Sequence, residues 1–376
     1  MPDSGARARD LGIPFSGTPG ALNAITDVPG LEVGYVTLNY GESVRTGVTA
    51  ILPRGKNKVG TACSAGFYSL NGNGEMTGTI WVEETGALAM PIMITNTHAV
   101  GTVHRGVIDW INKNNPRLAA QWLLPVVAET WDGYLNDING THVKTEHAGQ
   151  AIDSATSGRF QEGSVGGGTG MNCYGFKGGN GSASRIVAYG KDEYVVAAFV
   201  QSNFGSREEL MIAGVPMGGL DVPNPLDDAD WFSQDQINAK VPSGAGSVIV
   251  VIATNAPLLP AQCKALAKRV PLGLARTGTA GSHFSGDIFI AFSTANEGSL
   301  MSGFPIKDAN DKDYDQMKSI QWGRMDPFYT ATVQSVEEAV VNALVANVDM
   351  VGRNGHISYG LPREQVTAKL VEAGKL

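Results

Sequence analysis

Short apolar runs bounded by glycine limit the folds open to this chain more than any other sequence feature. The sequence has 48 glycines among 376 residues, about 13% by count against a usual ~7%. The glycines follow no fixed period, and proline is ordinary at 18 residues, so a collagen-like or disordered chain is excluded. They separate apolar segments of strand length instead, and residues 247–253 (SVIVVIA) form the strongest of these. A loop-rich protein that mixes sheets and helices is expected.

The order of the predicted elements favours an α+β layered sandwich (αββα). Strands are predicted at residues 31–38, 48–52, 80–82, 90–95, 123–129, 185–189, 194–201, 247–253 and 287–292. Helices are predicted at 103–114, 261–269, 335–347 and 364–373, and irregular or surface segments at 1–30 and 216–242. The third helix carries a predicted capping box, with Ser335 at the N-cap and Glu338 at N3. Strands and helices interleave without regular βαβ units, which favours stacked sheets with outer helices over a doubly wound parallel sheet.

The charge balance argues against nucleic-acid and membrane partners. Lys and Arg number 28 against 36 Asp and Glu, so the net charge is −8 and no basic stripe is available to neutralise phosphates. No apolar run approaches the ~18 residues of a membrane span. Charged residues make up only 17% of the chain against about 25% usually. A poorly charged surface suggests that part of it is covered, so a homo-oligomer is expected.

Cysteine and histidine provide no recognisable metal site. Cys63, Cys173 and Cys263 lie far apart and form no C-x-x-C pair, so neither a zinc ribbon nor a disulfide framework is supported. None of the six histidines belongs to an H-E-x-x-H pair, and no metal cofactor is expected. The N-terminal residues lack the apolar segment of a secretory signal, so a cytoplasmic location is predicted.

Residues 163–170 (GSVGGGTG) invite comparison with a phosphate-binding loop. The G-x-x-x-x-G-K-[ST] pattern is absent because Lys177 is followed by Gly178, and the G-x-G-x-x-G pattern is absent because Met171 replaces its last glycine. Tight turns near an active site are the favoured interpretation. A non-catalytic nucleotide-binding module remains an alternative.

The dipeptide Gly246–Ser247 lies between a polar linker and the strongest predicted strand. A serine hydroxyl there can attack the carbonyl carbon of the preceding glycine, which has no side chain to shield it. The C–N bond breaks as the ester forms, which frees the α-amine of Ser247, and hydrolysis of the ester then frees the hydroxyl and separates the two chains. An α-amine has an ordinary pKa near 8 and can act as the base for its own hydroxyl. Taken alone, the pattern is only suggestive, because Gly-Ser before a strand is common.

Eight segments along the chain carry a further signal, namely residues 45–49 (RTGVT), 97–103 (THAVGTV), 129–137 (ETWDGYLND), 167–171 (GGTGM), 176–185 (FKGGNGSASR), 201–205 (QSNFG), 246–255 (GSVIVVIATN) and 285–294 (SGDIFIAFST). Taken together and in order, they resemble the DmpA-type family of L-aminopeptidase/D-amidases and its β-aminopeptidase relatives. The resemblance spans most of the chain and implies a single catalytic domain over residues 1–376. It implies an architecture like that of the N-terminal-nucleophile (Ntn) hydrolases, with distinct strand connectivity. It also implies self-cleavage between Gly246 and Ser247 into chains 1–246 and 247–376, which stay together, commonly as a homotetramer.

The activity that the resemblance implies is removal of N-terminal residues from short peptides, amides and esters, without a metal or other cofactor. The sequence leaves open whether an L-α, a D-α or a β-amino acid is preferred. An acyltransferase of the ornithine-acetyltransferase type is the alternative, because that group is similar in fold and also cleaves itself. It cleaves before Thr, so Ser247 counts against it.

Four residues take catalytic roles by their match to the family motifs. Ser247 matches the nucleophile, and Ser285 and Asp287 match a hydrogen-bonding pair beside it. Two positions apart on a strand, the members of that pair can face the same side. Asn203 matches the oxyanion-hole donor, and losing one such donor typically costs about 2.7–4 kcal/mol in the barrier.

Three further residues take substrate-binding roles in the same way. Glu129 matches the carboxylate that holds the α-ammonium group of the substrate. A fixed anion there selects free N-termini, because an internal peptide has no cation to place beside it. Trp131 and Tyr134 are predicted to line the pocket.

Overall fold

Two β-sheets stacked face to face form the centre of the protein, and helices cover both outer faces. The computed structural model describes residues 5–227, 244–305 and 307–376. The strands are β1 (Glu32–Tyr40), β2 (Val44–Leu52), β3 (Cys63–Ser69), β4 (Ala87–Leu88), β5 (Ile92–Asn96), β6 (Val126–Thr130), β7 (Asn172–Cys173), β8 (Phe176–Lys177), β9 (Gly179–Tyr189), β10 (Asp192–Asn203), β11 (Met211–Ile212), β12 (Val215–Pro216), β13 (Gly246–Thr254), β14 (Ser285–Ser293), β15 (Met350–Val351) and β16 (Ile357–Ser358). The helices of the described residues are α1 (Thr79–Thr85), α2 (Val100–Asn114), α3 (Pro116–Ala119), α4 (Thr145–Ser154), α5 (Pro260–Ala267), α6 (Val270–Arg276), α7 (Asp326–Val345) and α8 (Arg363–Glu372).

The first sheet has the strand order β1-β2-β5-β6 and is antiparallel except for the pair β5–β6. Helices α2 and α4 pack on its outer face. The buried residues Val103, Val107 and Ile111 recur every four positions along α2, which turns one apolar face of that helix toward the sheet. Strand β6 lies at the edge of this sheet, and its last residues, Glu129 and Thr130, bring their side chains to the end of the sandwich.

The second sheet has the strand order β4-β3-β14-β13-β10-β9. Its central pair, β13 and β14, is parallel, whereas the other pairs are antiparallel. Helix α7 packs across β9 and β10 on the outer face, α5 packs on β3 and β14, and α6 packs against α7. The layered αββα architecture predicted from the sequence is therefore what the chain adopts.

Alternate residues of β13 face opposite sides of the second sheet. Ile249 and Val251 pack between the two sheets, whereas Val248 and Val250 pack beneath the helices. Burial on both faces explains why residues 248–253 of this strand are all apolar. By the same alternation, the side chain of Ser247 faces the first sheet.

Residues 80–82 were predicted as a strand and belong instead to helix α1. Glycines in the left-handed conformation bound this helix, Gly78 with φ +75° and Gly86 with φ +68°. Only Val82 is buried within it, and Ile80 is 85% exposed. The periodicity of a short apolar run does not distinguish a helix from a strand. The prediction was wrong because three residues are too few to show the helical period.

The capping box predicted at Ser335 and Glu338 is also wrong. Helix α7 begins at Asp326, with a proline in its first turn, so both residues lie in its interior. Ser335 Oγ donates to the carbonyl oxygen of Val196 at 3.2 Å, and Glu338 accepts from Arg185. Their hydrogen bonds are made to other elements of the fold and not to the start of a helix.

Residues 5–30, predicted as irregular, are held to the rest of the fold by ion pairs. Arg7 Nε lies 2.8 Å from Glu162 Oε2, and Arg9 Nε lies 2.7 Å from Glu338 Oε1. No helix within the described ranges is both long and apolar enough to cross a membrane. Two parts of the predicted irregular segments lie outside the described residues, 1–4 and 228–242.

Candidate active site

Three strand ends meet around Ser247 at one edge of the second sheet. Ser247 lies opposite Asn203 on antiparallel β10 and beside Gly286 on parallel β14. Directly opposed residues of an antiparallel pair point to the same face, so the side chains of Asn203 and Ser247 both face the first sheet. The backbone N–H of Trp131, just after β6, donates to Ser247 Oγ at 3.4 Å. The hydroxyl group therefore lies where the ends of the two sheets come together.

Gly246 is required by close packing and not by an unusual backbone angle. A Cβ atom at this position would lie 2.0 Å from the carbonyl oxygen of Asn203. Gly246 is not among the residues with positive φ, so the conformational freedom of glycine is not what the position uses. The absent side chain leaves the carbonyl group before Ser247 unshielded.

Ser285 and Asp287 form a hydrogen-bonded pair on β14, in which Ser285 Oγ donates to Asp287 Oδ1 at 2.5 Å. They alternate in phase with Phe289, which packs beneath the helices, so both side chains lie on the side of the sheet opposite to the Ser247 hydroxyl. Burial raises the pKa of Asp287, while hydrogen bonds from Ser285 and from the backbone N–H of Val248 act to lower it. The pair is thus placed against the Ser247–Val248 backbone, where the nitrogen of Ser247 lies.

A tight turn fixes the side-chain amide of Asn203. The backbone N–H of Asn172 donates to Asn203 Oδ1 at 2.9 Å, so Nδ2 is the end of the amide that can donate to a bound substrate. The turn is held by the buried Lys177, whose Nζ donates to the carbonyl oxygens of Met171 and Gly178, both at 2.7 Å. Burial lowers the pKa of Lys177 to about 7.

Glu129 is a buried carboxylate held by uncharged donors. It accepts hydrogen bonds from the Thr97 hydroxyl and, at 3.0 Å, from the backbone N–H of Glu75. Burial raises the pKa of Glu129 above its ordinary value, and these two hydrogen bonds act to lower it. A cation that binds beside a buried carboxylate of this kind stabilises its charged form.

Trp131 and Tyr134, the two aromatic residues predicted to line the pocket, lie in different surroundings. Trp131 reaches Ser247 through its backbone N–H. Tyr134 is only 2% exposed, its ring stacks on His356 with centroids 4.7 Å apart, and its hydroxyl donates to the carbonyl oxygen of Ile357. The ring of Tyr134 therefore packs on His356, and its role in lining the pocket stays a prediction.

The glycine segment 163–170 has the close packing of a structural turn. The backbone N–H of Gly166 donates to Thr37 Oγ1 at 2.9 Å, and that of Gly167 donates to Thr49 Oγ1 at 3.1 Å. These N–H groups are occupied, so they are not directed at a phosphate. Among the residues that the structure describes, no group of three or more His, Cys, Asp or Glu could hold a metal ion.

Sequence reasoning missed three residues that hold the predicted ones in place. They are Asn71, which binds Asp287 through its side chain, Thr97, which donates to Glu129, and Asn172, which donates to Asn203. Thr97 lies in one of the family segments, and Asn172 directly follows another. Asn71 lies in N-G-N-G, a pattern that predicts only a turn.

Comparison with known proteins places the chain in one family, because residues 23–358 match peptidase family S58. The chain belongs to this family. Two curated relatives are named β-peptidyl aminopeptidase BapA. The S58 chain is 48% identical to that of Sphingosinicella microcystinivorans, covering 99% of this chain and 93% of the relative. It is 42% identical to that of Sphingosinicella xenopeptidilytica, covering 98% and 92%.

Two solved structures extend the match to three dimensions. A Burkholderia sp. β-aminopeptidase has a TM-score of 0.88 and 43% identity, covering 98% of the S58 chain and 99% of its own. The L-aminopeptidase D-Ala-esterase/amidase of Ochrobactrum anthropi, a prototype of the serine aminopeptidases with a variant of the Ntn hydrolase fold, has a TM-score of 0.87 and 42% identity, with the same coverage. The predicted fold class is confirmed, and the S58 chain is an Ntn-type serine aminopeptidase, a hydrolase of peptide and amide bonds.

Proposed function

We propose that this S58 peptidase cuts its own chain between Gly246 and Ser247 and uses the freed Ser247 as its nucleophile. The position of Ser247 carries the proposal. It follows an unshielded glycine carbonyl at the start of a buried central strand, with Asn203 opposite its side chain. Ser285 and Asp287 lie against its backbone, where cleavage would create an ammonium group.

The self-cleavage step needs only groups that this chain supplies, together with water. The oxygen of the Ser247 hydroxyl attacks the carbonyl carbon of Gly246, the C–N bond breaks, and the Ser247 nitrogen takes the proton. The product is an ester between the Gly246 carbonyl and Ser247 Oγ. Water then hydrolyses this ester, giving chains 1–246 and 247–376 with a carboxylate at Gly246 and a free amine at Ser247.

The free amine of Ser247 then serves as general base in the aminopeptidase reaction. It accepts the proton of its own hydroxyl as Oγ attacks the substrate carbonyl, and it returns that proton to the leaving amine. Ser285 and Asp287 stabilise the ammonium form from the side of the backbone. Asn203 Nδ2 donates to the oxyanion that develops during attack. Water hydrolyses the acyl-enzyme ester by the same route.

Glu129 restricts the reaction to substrates with a free amine. Its carboxylate is buried and its hydrogen-bond donors are neutral, so the ammonium group of a substrate is the charge that completes it. We propose that the N-terminal residue of a short peptide, amide or ester binds here, with its carbonyl carbon toward Ser247. The backbone at Trp131 forms the adjoining wall.

We propose β-amino acid residues as the first substrate class to test. The support is the similarity to proteins named β-peptidyl aminopeptidase and β-aminopeptidase, at 48% and 43% identity. The relative named L-aminopeptidase D-Ala-esterase/amidase is 42% identical, so L-α and D-α residues are the comparison substrates. Initial rates on matched β-, L- and D-aminoacyl anilides would rank the three classes. A preference for either α class would overturn the β assignment and leave the nucleophile unaffected.

We also propose that the processed chains assemble into a homo-oligomer, a tetramer of cleaved protomers. Large apolar side chains on the surface support this, including Ile80 (85% exposed), Trp122 (82%), Tyr314 (79%) and Met301 (70%). Sedimentation velocity of the purified protein would give the size of the assembly.

Denaturing electrophoresis tests the central proposal. The wild type should give two bands whose masses sum to 39.5 kDa, and Ser247→Ala should give one band and no aminopeptidase activity. N-terminal sequencing of the smaller band should begin at Ser247. A wild type that remains intact yet fully active would contradict the proposal. The acyltransferase alternative is not favoured, because the matches are to peptidases, and an acetyl-transfer assay on the same sample would detect it.

A further inference from the structure

One loop, residues 70–76 (LNGNGEM), touches both buried carboxylates of the candidate site. At one end, the side chain of Asn71 binds Asp287. At the other end, the backbone N–H of Glu75 donates to Glu129 at 3.0 Å. The loop joins β3 to α1, far in sequence from either strand that carries a carboxylate.

The middle of the loop packs directly on β14. A Cβ atom on Gly74 would lie 2.9 Å from the Cα atom of Gly286 and 3.1 Å from Glu129 Oε1. A Cβ atom on Gly286 would lie 2.5 Å from the carbonyl oxygen of Asn73. Because Gly286 lies beside Ser247 in the parallel register, the loop is held against the strand next to the nucleophile.

Asn71 binds Asp287 at two points. Its Oδ1 accepts from the backbone N–H of Asp287 at 2.7 Å, and its Nδ2 donates to Asp287 Oδ2 at 3.1 Å. Nδ2 also donates to the carbonyl oxygen of Ser282 at 2.9 Å. The two contacts fix the side chain of Asp287 relative to its own backbone, so the carboxyl group has one orientation.

The two oxygens of Asp287 are thereby divided between two partners. Oδ1 accepts from Ser285, and Oδ2 accepts from Asn71. Among the described residues, the groups that affect the pKa of Asp287 are Ser285, Asn71 and the Val248 N–H, and none carries a charge. Burial opposes ionisation of this carboxyl group, so the donated hydrogen bonds are what favour its charged form.

We propose that Asn71 is a positioning residue of the aminopeptidase, which holds the carboxylate of Asp287 toward Ser285 and the Ser247 backbone. The inference rests on the proposed role of Asp287 and adds a residue that acts only through it. Asn71 touches neither substrate nor nucleophile in this arrangement.

Asn71→Ala should lower kcat by about 10- to 100-fold, which is the usual range for a lost hydrogen bond to a charged group. KM should change less than about twofold, because Glu129 keeps its own contacts. The acid limb of the kcat–pH profile should move to higher pH, since the charged form of Asp287 has lost a donor. Rates are taken per cleaved protomer, with the cleaved fraction measured by mass spectrometry.

Asn71→Asp tests the donating amide of Asn71 separately from its accepting oxygen. It keeps the oxygen that accepts from the backbone of Asp287 but replaces the donating amide with a second carboxyl oxygen. Two facing carboxylates cannot both ionise easily, so the acid limb should move further than in Asn71→Ala. A merely structural role predicts the reverse order, because Asp is nearly the same shape as Asn.

Asn73→Ala is the matched control. Asn73 occupies the same N-G repeat in the same loop, is exposed, and donates to a backbone oxygen, that of Phe284, at 3.1 Å. Its loss should leave kcat and the acid limb within about twofold of the wild type. An equal effect at both positions would mean that general loosening of the loop is being measured, and would overturn the inference.

Asp287→Asn distinguishes failure of this inference from failure of the proposed function. If Asp287→Asn keeps the wild-type kcat, the proposed role of Asp287 fails, and that of Asn71 fails with it. If Asp287→Asn loses activity while both Asn71 variants keep the wild-type pH profile, only the inference about Asn71 is wrong. It is also wrong if both Asn71 variants fail to fold by circular dichroism, or if they raise KM with kcat unchanged, because either result assigns Asn71 a purely structural role. If the variants fold but cut themselves slowly, the rate of self-cleavage over the same pH series replaces kcat as the readout, with the same shift expected.

Discussion

Glu338 and Asp287 are both buried carboxylates, yet arginines surround the first and neutral donors the second. Glu338, in α7, lies 2.6 Å from Arg185 Nη2 and 2.7 Å from Arg9 Nε, and its side chain is fully buried. Burial acts to raise its pKa, but the hydrogen bond from Arg9 and the charge of Arg185 outweigh burial, and the pKa is lowered. This carboxylate is matched entirely within the fold.

The two carboxylates of the candidate site differ from Glu338 in the charge of their hydrogen-bond donors. Asp287 and Glu129 are each 2% exposed, but their hydrogen bonds come from hydroxyl, amide and backbone N–H groups. Burial raises the pKa of both. The cations that would complete them are the ones the proposed reaction brings, the amine of Ser247 for Asp287 and the substrate ammonium for Glu129. The charge of Glu338 is thus balanced by the protein itself, whereas in the proposed reaction the charges of Asp287 and Glu129 are balanced by groups that cleavage and substrate binding supply.

The largest expected effect is on the stability of the fold, and it is expected at Glu338. Glu338→Gln leaves Arg185 buried without its anion, which typically costs about 3–5 kcal/mol in the free energy of unfolding. Urea unfolding in the uncut Ser247→Ala background measures this on a single chain. A loss below about 1 kcal/mol would mean that the arginines are solvated or re-paired, and would remove one side of the comparison.

Glu129→Gln should affect activity and spare folding. Loss of the anion should lower kcat/KM on free-amine substrates by about 100-fold, roughly 3 kcal/mol, while the stability measured in urea stays within about 0.5 kcal/mol. Self-cleavage should continue, because Gly246 presents no ammonium group. Equal losses of self-cleavage and of aminopeptidase activity would make Glu129 structural. In the wild type, KM should rise as pH falls through the raised pKa of Glu129, since its protonated form cannot hold a cation.

The smallest effect is expected at a third buried carboxylate, Asp132, which is 0% exposed and accepts from Asn136 Nδ2 at 3.0 Å. Burial raises its pKa to about 7, although hydrogen bonds from Thr46 and Asn136 act to lower it. Between pH 4 and 7 the folded protein therefore binds more protons than the unfolded chain, and stability falls as pH rises through this window. Asp132→Asn should reduce that slope and stabilise the protein by about 1–2 kcal/mol at pH 8, with little change at pH 4. Thermal unfolding at the two pH values would measure it, and a wild-type slope that survives in the variant would assign the effect elsewhere.

Much of this site could be reached from the sequence, because its central residues lie in contiguous motifs. Ser247, Asn203 and Glu129 stand at strand ends, where apolar runs stop, and the runs themselves predicted the strands. Asn71 could not be found in this way, because it is 216 positions from Asp287 and only the folded sheet brings them together. The side of the sheet that a residue faces was equally hidden for Ser285, whose strand is apolar on both faces.

Long-range packing also explains the mistakes about secondary structure. Ser335 and Glu338 have the residue types and spacing of a helix start, but α7 continues through them because their partners lie in β9, β10 and the N-terminal segment. Local patterns cannot encode partners that arrive from elsewhere in the chain.

The strand order of the second sheet affects whether the protein can refold after its chain has been cut. All of β13 except its first residue, and the whole of β14, follow the proposed cut in sequence, yet in the sheet these two strands lie between β3 and β10, which precede it. Before a cut after Gly246, assembly of that sheet is a unimolecular event whose speed does not depend on concentration. After the cut, the same sheet joins two molecules, so recovery from denaturation becomes a bimolecular fragment complementation that dilution opposes. The cleaved protein would keep its fold because it unfolds slowly. Molecules that do unfold would be replaced by new synthesis and not by refolding.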